Sequence, residues 1–237
     1  MPFRPLPGLL LRRLVQSAFF AVVARSPRRA LRTLLEIEDD LSICINQVAL
    51  RYGDGVHVKH RLMRYHDFFV ERIRAGERVL DIGCGYGAVA YSVASRTGAT
   101  VLGIDLNTEN IALARKKFQH PNLKFVEGDV LKDLPEEPFD AIVFSNVLEH
   151  IEHRVEFLRK GQERLKPQRW LIRVPMFNRD WRVPLRQELG MFYFSDSTHF
   201  TEYTRESFEK EMEEAGLTVT HLEISWGEIW AEVRRDA

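Results

Sequence analysis

From Arg78 to Met176 the chain alternates short apolar runs with helical stretches, a pattern that leaves few folds open. The runs are RVLDIG from Arg78, TVLGIDL from Thr100, LKFVEGD from Leu123, FDAIVFSN from Phe139 and RWLIRVPM from Arg169. Between them, residues 86–96, 108–118 and 147–165 read as helices. Strands that are apolar throughout are buried on both faces, and parallel neighbours need a crossover between them. The alternation therefore predicts an α/β fold: a doubly wound, mostly parallel sheet with helices on both faces. The C-terminus departs from it. After a helix near 204–215, stopped at Gly216, LTVTHLEIS and GEIWAEVRR follow with only Trp226 between them. So short a link closes an antiparallel hairpin.

Upstream, Leu31, Leu34, Leu35, Leu41, Ile45 and Val48 predict a helix from Pro27 to about Leu50, ended by Gly53 and Gly55. His57 to Gly76 reads as another. The expected division is a basic helical extension, 1–56, and a domain, 57–237. Residues 1–35 hold Arg4, Arg12, Arg13, Arg25, Arg28, Arg29 and Arg32 and no acid. The apolar run from Leu14 to Ala24 falls short of the roughly 20 residues of a bilayer span. Three readings stay open: a secretory leader, a helix on an anionic membrane surface, and a helix packed on the domain or on a second subunit of a homodimer. Formal net charge is zero, so no global field favours nucleic acid as a partner. The two cysteines, Cys44 and Cys84, have no metal-ligand spacing and point to a reducing compartment. The location expected is cytoplasmic, peripheral at the inner membrane surface if the basic segment binds lipid.

VLDIGCGYGAVA, Val79 to Ala90, places a glycine turn between a strand and a helix. GCGYGA at 83–88 fits the dinucleotide pattern, with Asp105 at the spacing of a ribose-binding acid. That would suit a nicotinamide oxidoreductase. Asp81 weighs against it, because a carboxylate beside a pyrophosphate suffers like-charge repulsion where screening is poor. S-adenosylmethionine has no phosphate and is a cation at its reactive end. Asp81, Asp105 and Asp129 each fall at or near a strand end, where an open parallel sheet binds its ligand.

VLDIGCGYG, GIDLN, VEGDV and FDAIVFSNVLEHI, in this order, resemble the successive motifs of class I S-adenosylmethionine-dependent methyltransferases. The resemblance runs from about Gly76 to the C-terminus. It is nearest to the branch of ubiquinone-biosynthesis O-methyltransferases and small-molecule or sugar methyltransferases. It implies a Rossmann-like fold, S-adenosylmethionine as cofactor and S-adenosylhomocysteine as product. By the same resemblance Gly83, Cys84, Gly85 and Gly87 form the turn at the methionine part, with Asp81 beside its charged end. Asp105 accepts the ribose hydroxyls, with Leu106 against the adenine. Asp129 and Val130 meet the adenine edge, Asn146 lies below the methionine portion, and Arg61, with Arg64 close behind, takes the methionine carboxylate.

Methyl transfer to a hydroxyl gains from alignment and from a base. The candidate catalytic residues are His150 in LEHI and His199 in SDSTHFTEYT, with His150 placed first. Glu149, His150 and His153 also suggest a metal, but relatives of the ubiquinone branch carry a Glu where this chain has Asn146. Neighbours on a helix also point about 100° apart. No metal is therefore expected. The fourth-strand motif lacks the Asn/Asp-Pro-Pro-aromatic sequence common among amino-group methyltransferases, which favours oxygen as the acceptor atom. Phe177 to Tyr203 is a long insertion in which Arg179, Arg182 and Arg186 alternate with aromatics, expected to cover the substrate. It resembles that of methyltransferases of cell-surface polysaccharide synthesis. The expected function is methyl transfer to an oxygen of a small-molecule or glycan- or lipid-linked acceptor. The alternatives are the oxidoreductase above and a membrane-associated module that binds the cofactor without turnover.

Overall fold

The computed structural model describes residues 26–235, together with Gln16, Ser17 and Phe20. Apart from those three residues, the stretch Leu14–Ala24 and the arginines ahead of Ser26, with the readings placed on them, lie outside the described residues. No described helix is long and apolar enough to cross a membrane.

Seven strands form one sheet: β1 (Arg78–Ile82), β2 (Thr100–Asp105), β3 (Leu123–Glu127), β4 (Ala141–Ser145), β5 (Arg169–Pro175), β6 (Leu217–Ser225) and β7 (Glu228–Arg235). Their order is β3-β2-β1-β4-β5-β7-β6. The first five pair in parallel, with Asp81 level with Gly103 on one side and Val143 on the other. β7 runs antiparallel to both β5 and β6, so β7 alone reverses direction. The turn between β6 and β7 holds Trp226 at φ 55° and Gly227 at φ 74°. Two left-handed residues in a two-residue loop match the twist of a hairpin.

Successive residues of a strand face opposite sides, and the two sides carry separate cores. Val79, Val101 and Leu171 pack with Phe68, Phe69, Val93 and Ile111 on one face. Leu80, Ile82, Phe144 and Ile172 pack with Leu158, Leu165, Phe208 and Met212 on the other. The helices supplying these residues are α3 (Tyr65–Val70), α4 (Ala88–Thr97) and α5 (Thr108–Lys117), against α6 (Arg154–Leu165) and α8 (Arg205–Glu214).

Two expected helices are broken. His57–Gly76 divides into α2 (Lys59–Met63) and α3, with Arg64 left-handed at φ 53° between them. The turn lets Tyr65, Phe68 and Phe69 enter the core together. Residues 147–165 divide likewise into a 3₁₀ turn, Leu148–His150, and α6.

The chain forms two compact units. One is the segment up to Val58 with Pro184–Tyr193; the other is Lys59–Val183 with Phe194 onward. Within the first, α1 (Pro27–Tyr52) starts on the Ser26 cap with Pro27 in its first turn and ends at Gly53. Arg186, in α7 (Arg182–Glu188), donates to the Leu35 carbonyl at 3.0 Å and pairs with Asp39 at 2.8 Å. The middle of the insertion belongs to the extension's unit.

Candidate active site

A cavity of about 220 Å³ opens where the strand order reverses, beyond the C-terminal ends of β1 and β4. Of the expected cofactor residues, Asp81, Gly83, Cys84, Gly85 and Asn146 line it. Gly83, Gly85 and Gly87 all have positive φ. A Cβ at Gly83 would come within 2.6 Å of Val147, and one at Gly87 within 2.4 Å of the Phe125 ring. A Cβ at Gly85 would meet nothing within 4 Å. The first and third glycines therefore allow packing, and the second leaves bare backbone on the cavity wall. The Gly85 N–H donates to Asp105 Oδ2 at 2.8 Å, which pins the turn to the end of β2.

Two acceptors inside this wall are unmet. Asp81 is buried and its Oδ2 has no partner among the described residues. Burial pushes its carboxyl up to about 8; the Ala90 backbone N–H opposes this and the nearby Asp105 charge adds to it. Asn146, left-handed at φ 58°, holds a buried Oδ1 that is equally unpartnered. Buried polar atoms are rarely left unpaired, so the wall has acceptor capacity for a ligand's donors. Burial also raises the Cys84 thiol, leaving it a neutral part of the wall.

The cations at the cavity are Lys59 and Arg173, whereas Arg61 lies exposed outside its lining. Arg173 is buried, bidentate to Glu228 at 2.6 and 2.7 Å, and sits 3.8 Å over the Tyr65 ring. The Lys59 ammonium is shifted down by burial and by Arg173. His60 joins Tyr65 at 2.6 Å to Tyr86 of the glycine turn at 2.9 Å, tying α2 to the cavity rim. Sequence reasoning missed Lys59, His60, Tyr65 and Arg173. An arginine inside an otherwise apolar strand was the one available signal.

The remaining expected cofactor residues lie outside the lining. Asp105 accepts from Gly85 N, Asn107 N and Asn110 Nδ2, which fixes its carboxylate in place. Leu106 is 74% exposed, an open apolar surface next to it. Asp129 accepts from Leu131 N and pairs with Lys132 at 2.9 Å, while Val130 packs against the core.

A second cluster follows Asn146 directly. Glu149 is fully buried, neither carboxylate oxygen has a hydrogen-bond partner among the described residues, and burial pushes it up to about 8. His199 Nε2 lies 3.9 Å from Glu149 Oε1, and its Nδ1 lies 3.2 Å from Glu202 Oε1. Glu202, also buried, accepts from the Ser195 N–H and hydroxyl and pairs with Arg179. An Nδ1–H donated to Glu202 leaves Nε2 free to accept a proton or bind a metal. His150 Nδ1 lies 2.8 Å from Thr198 Oγ1, which is 2.6 Å from Asp196. Burial, then the neighbouring His199, lowers the His150 pKa. The carboxylate that orients a base directly thus stands behind His199, not His150.

Glu149, His150 and His199 each offer one ligand atom, all within 4.8 Å of one another. The third group of this cluster is His199 rather than His153, and the segment that carries Glu149 and His150 is not the expected helix. The 3₁₀ turn brings Glu149 and His150 together, and His199 arrives from the insertion.

The buried acids make stability depend on pH. Asp81 and Glu149 titrate near 8 when folded, against about 4 when unfolded. His66, held near 4 by burial, acts in the opposite sense below about 6.5. Between about pH 6.5 and 8 the folded state therefore binds more protons, and stability falls as pH rises. The slope is up to about 1.4 kcal/mol per pH unit for each acid, levelling off above 8. Urea midpoints at constant ionic strength should show this fall, and Asp81→Asn should flatten it. A midpoint that rises through the window would contradict both assignments.

A family model described as a methyltransferase domain matches residues 55–222. Demethylmenaquinone methyltransferase of Tropheryma whipplei is 39% identical over 98 residues, 40% of each chain. Ubiquinone biosynthesis O-methyltransferase of Albidiferax ferrireducens is 36% identical over 103 residues, 41% of this chain and 40% of the relative. The chain thus matches about two-fifths of the length of these curated relatives. Among solved structures, an S-adenosylmethionine-dependent methyltransferase from Clostridium acetobutylicum superposes with a TM-score of 0.59 at 16% identity, covering 78% of this chain and 99% of that one. Mitomycin 7-O-methyltransferase gives 0.60 at 17% identity, over 78% and 56%.

Proposed function

The chain belongs to the methyltransferase-domain family, whose methyl donor is S-adenosylmethionine, and we propose that it methylates an oxygen of a small-molecule or glycan- or lipid-linked acceptor. The observation that carries this reading is the oriented pair of Glu202 and His199, which meets Glu149, three residues after Asn146 of the cavity wall.

The cavity's chemistry fits the cofactor. Asp81 Oδ2 and Asn146 Oδ1 offer acceptors for its ammonium group, and Lys59 and Arg173 offer positive charge for its carboxylate. The Gly85 backbone leaves room for close approach. Asp105, Leu106, Asp129 and Val130 keep the ribose and adenine roles the family resemblance gives them. When bound, S-adenosylmethionine supplies a methyl on a sulfonium leaving group. His199 Nε2 takes the acceptor's hydroxyl proton, and Glu202 holds the ring and favours the imidazolium that results. The relatives named as O-methyltransferases and the absence of a Pro-Pro motif both support oxygen. Incubation with isotopically labelled S-adenosylmethionine and a panel of hydroxyl, amine and carbon acceptors tests this reading, with the methyl located by NMR. Transfer to nitrogen or carbon alone would overturn the choice of oxygen.

The unpartnered oxygens of Glu149 favour a second reading of the same cluster, in which Glu149, His150 and His199 hold a divalent cation. One carboxylate and two imidazoles suit Zn²⁺, Mn²⁺ or Fe²⁺. Glu202 would then orient a ligand histidine, as carboxylates commonly do behind metal-bound imidazoles. Titration calorimetry with Zn²⁺ and Mn²⁺ should show one site that Glu149→Gln removes. Absence of binding, with turnover unchanged by chelator, leaves the proton-transfer role alone.

A further inference from the structure

Arg173 stands where the sheet changes direction. It is level with Ser145 of β4 on one side and with Trp230 of β7 on the other. Cross-strand partners share a face, so Ser145, Arg173 and Trp230 point the same way, as does Glu228 two residues before Trp230. Because β7 runs antiparallel, its first residue, Glu228, lies at the C-terminal end of β5, opposite Pro175. A parallel strand in that place would begin at the far end of the sheet. The reversal thus sets a carboxylate beside Arg173, which lines the cavity.

That carboxylate fixes the guanidinium as well as balancing its charge. The Arg173 and Glu228 side chains are only 5% and 12% exposed. Glu228 takes the Nε–H and an Nη2–H, and the Trp230 indole N–H donates to the same Glu228 oxygen as Nε, at 3.0 Å. An Nη1–H goes to Ser145 Oγ at 3.0 Å, and the Tyr65 ring lies under the flat face. A guanidinium has five N–H groups. Glu228 and Ser145 take three, and the Tyr65 hydroxyl is the one further group that draws on Arg173. At least one N–H at the Nη tip is therefore left for a ligand.

Stability alone does not call for this arrangement, since a buried ion pair often stabilises no better than apolar residues of similar volume. A cation gripped from three sides in a cavity wall is pre-organised to receive an anion. We propose that Glu228 is a positioning residue for the cofactor, aiming Arg173 at the carboxylate of its methionine part. This role rests on the reading of the cavity as the S-adenosylmethionine site. It makes β5 and β7, rather than the segment upstream of the glycine turn alone, the builders of carboxylate recognition. The nucleoside end of the ligand, at Asp105, does not depend on it.

The test compares two probes by calorimetry on the full chain. S-adenosylhomocysteine carries the carboxylate; methylthioadenosine has the same nucleoside and sulfur and lacks the amino-acid part. Glu228→Gln keeps the size of the side chain but turns an amide donor toward the donating guanidinium. It should weaken S-adenosylhomocysteine by about tenfold or more and leave methylthioadenosine within about twofold. Trp230→Phe removes only the indole N–H; the same selectivity with a smaller loss is expected, and this variant replaces Glu228→Gln if that protein fails to fold. Equal losses for the two probes mean a merely structural pair and overturn the proposal, as does unchanged S-adenosylhomocysteine affinity. A wild type that binds both probes equally tightly overturns carboxylate recognition at Arg173 and leaves the cofactor site standing. A wild type that binds neither overturns the reading of the cavity itself, and the role of Glu228 with it.

Discussion

Replacing Asp105 by Ala should weaken S-adenosylhomocysteine binding by about 3 kcal/mol, a little over a hundredfold. Two effects add. The ribose hydroxyls lose a charged acceptor, each such hydrogen bond contributing roughly 1.5–3 kcal/mol. The Gly85 N–H loses the carboxylate that pins the glycine turn. Calorimetry on the wild type and the variant measures the sum. Asp105→Asn separates the two, since an amide oxygen still accepts from Gly85 while the charge is gone. An intermediate loss is expected there. Unchanged affinity in Asp105→Ala, with an unaltered circular dichroism spectrum, would remove the ribose role from this residue.

The largest effect on turnover is expected at His199. His199→Ala should lower the rate at saturating cofactor by a hundredfold or more and leave S-adenosylhomocysteine affinity as it was. Glu202→Gln keeps the shape of the cluster but withdraws the carboxylate behind His199, so a smaller loss is expected. His150→Ala is the internal comparison. Its partner is the neutral Thr198 hydroxyl, with Asp196 one step further away. A larger loss in His150→Ala than in His199→Ala, with both proteins folded, would transfer the base to His150. Equal losses together with metal dependence would instead favour the cation-binding reading, in which both imidazoles are ligands.

The sequence determined the parallel sheet, the glycine turn and its neighbours, because each rests on local periodicity or on spacing within one strand–turn–helix unit. Continuous apolar runs can only be strands covered on both faces, and Asp81, Gly83, Cys84, Gly85 and Asn146 line one cavity because strand ends in a parallel sheet converge. The breaks at Arg64 and after Leu148 were illegible, since the same apolar spacing suits one helix or two, and packing chose between them. Only tertiary structure set Lys59 and Arg173 at the cavity in place of Arg61, and Glu202 behind His199. Only tertiary structure, too, drew Glu149, His150 and His199 into one cluster from positions some fifty residues apart. Such side chains have no common period and no fixed spacing. Their proximity follows from where a long insertion returns to the end of β4, where the Phe200 N–H donates to the Glu149 carbonyl at 2.9 Å. A chain read one window at a time carries no trace of that contact.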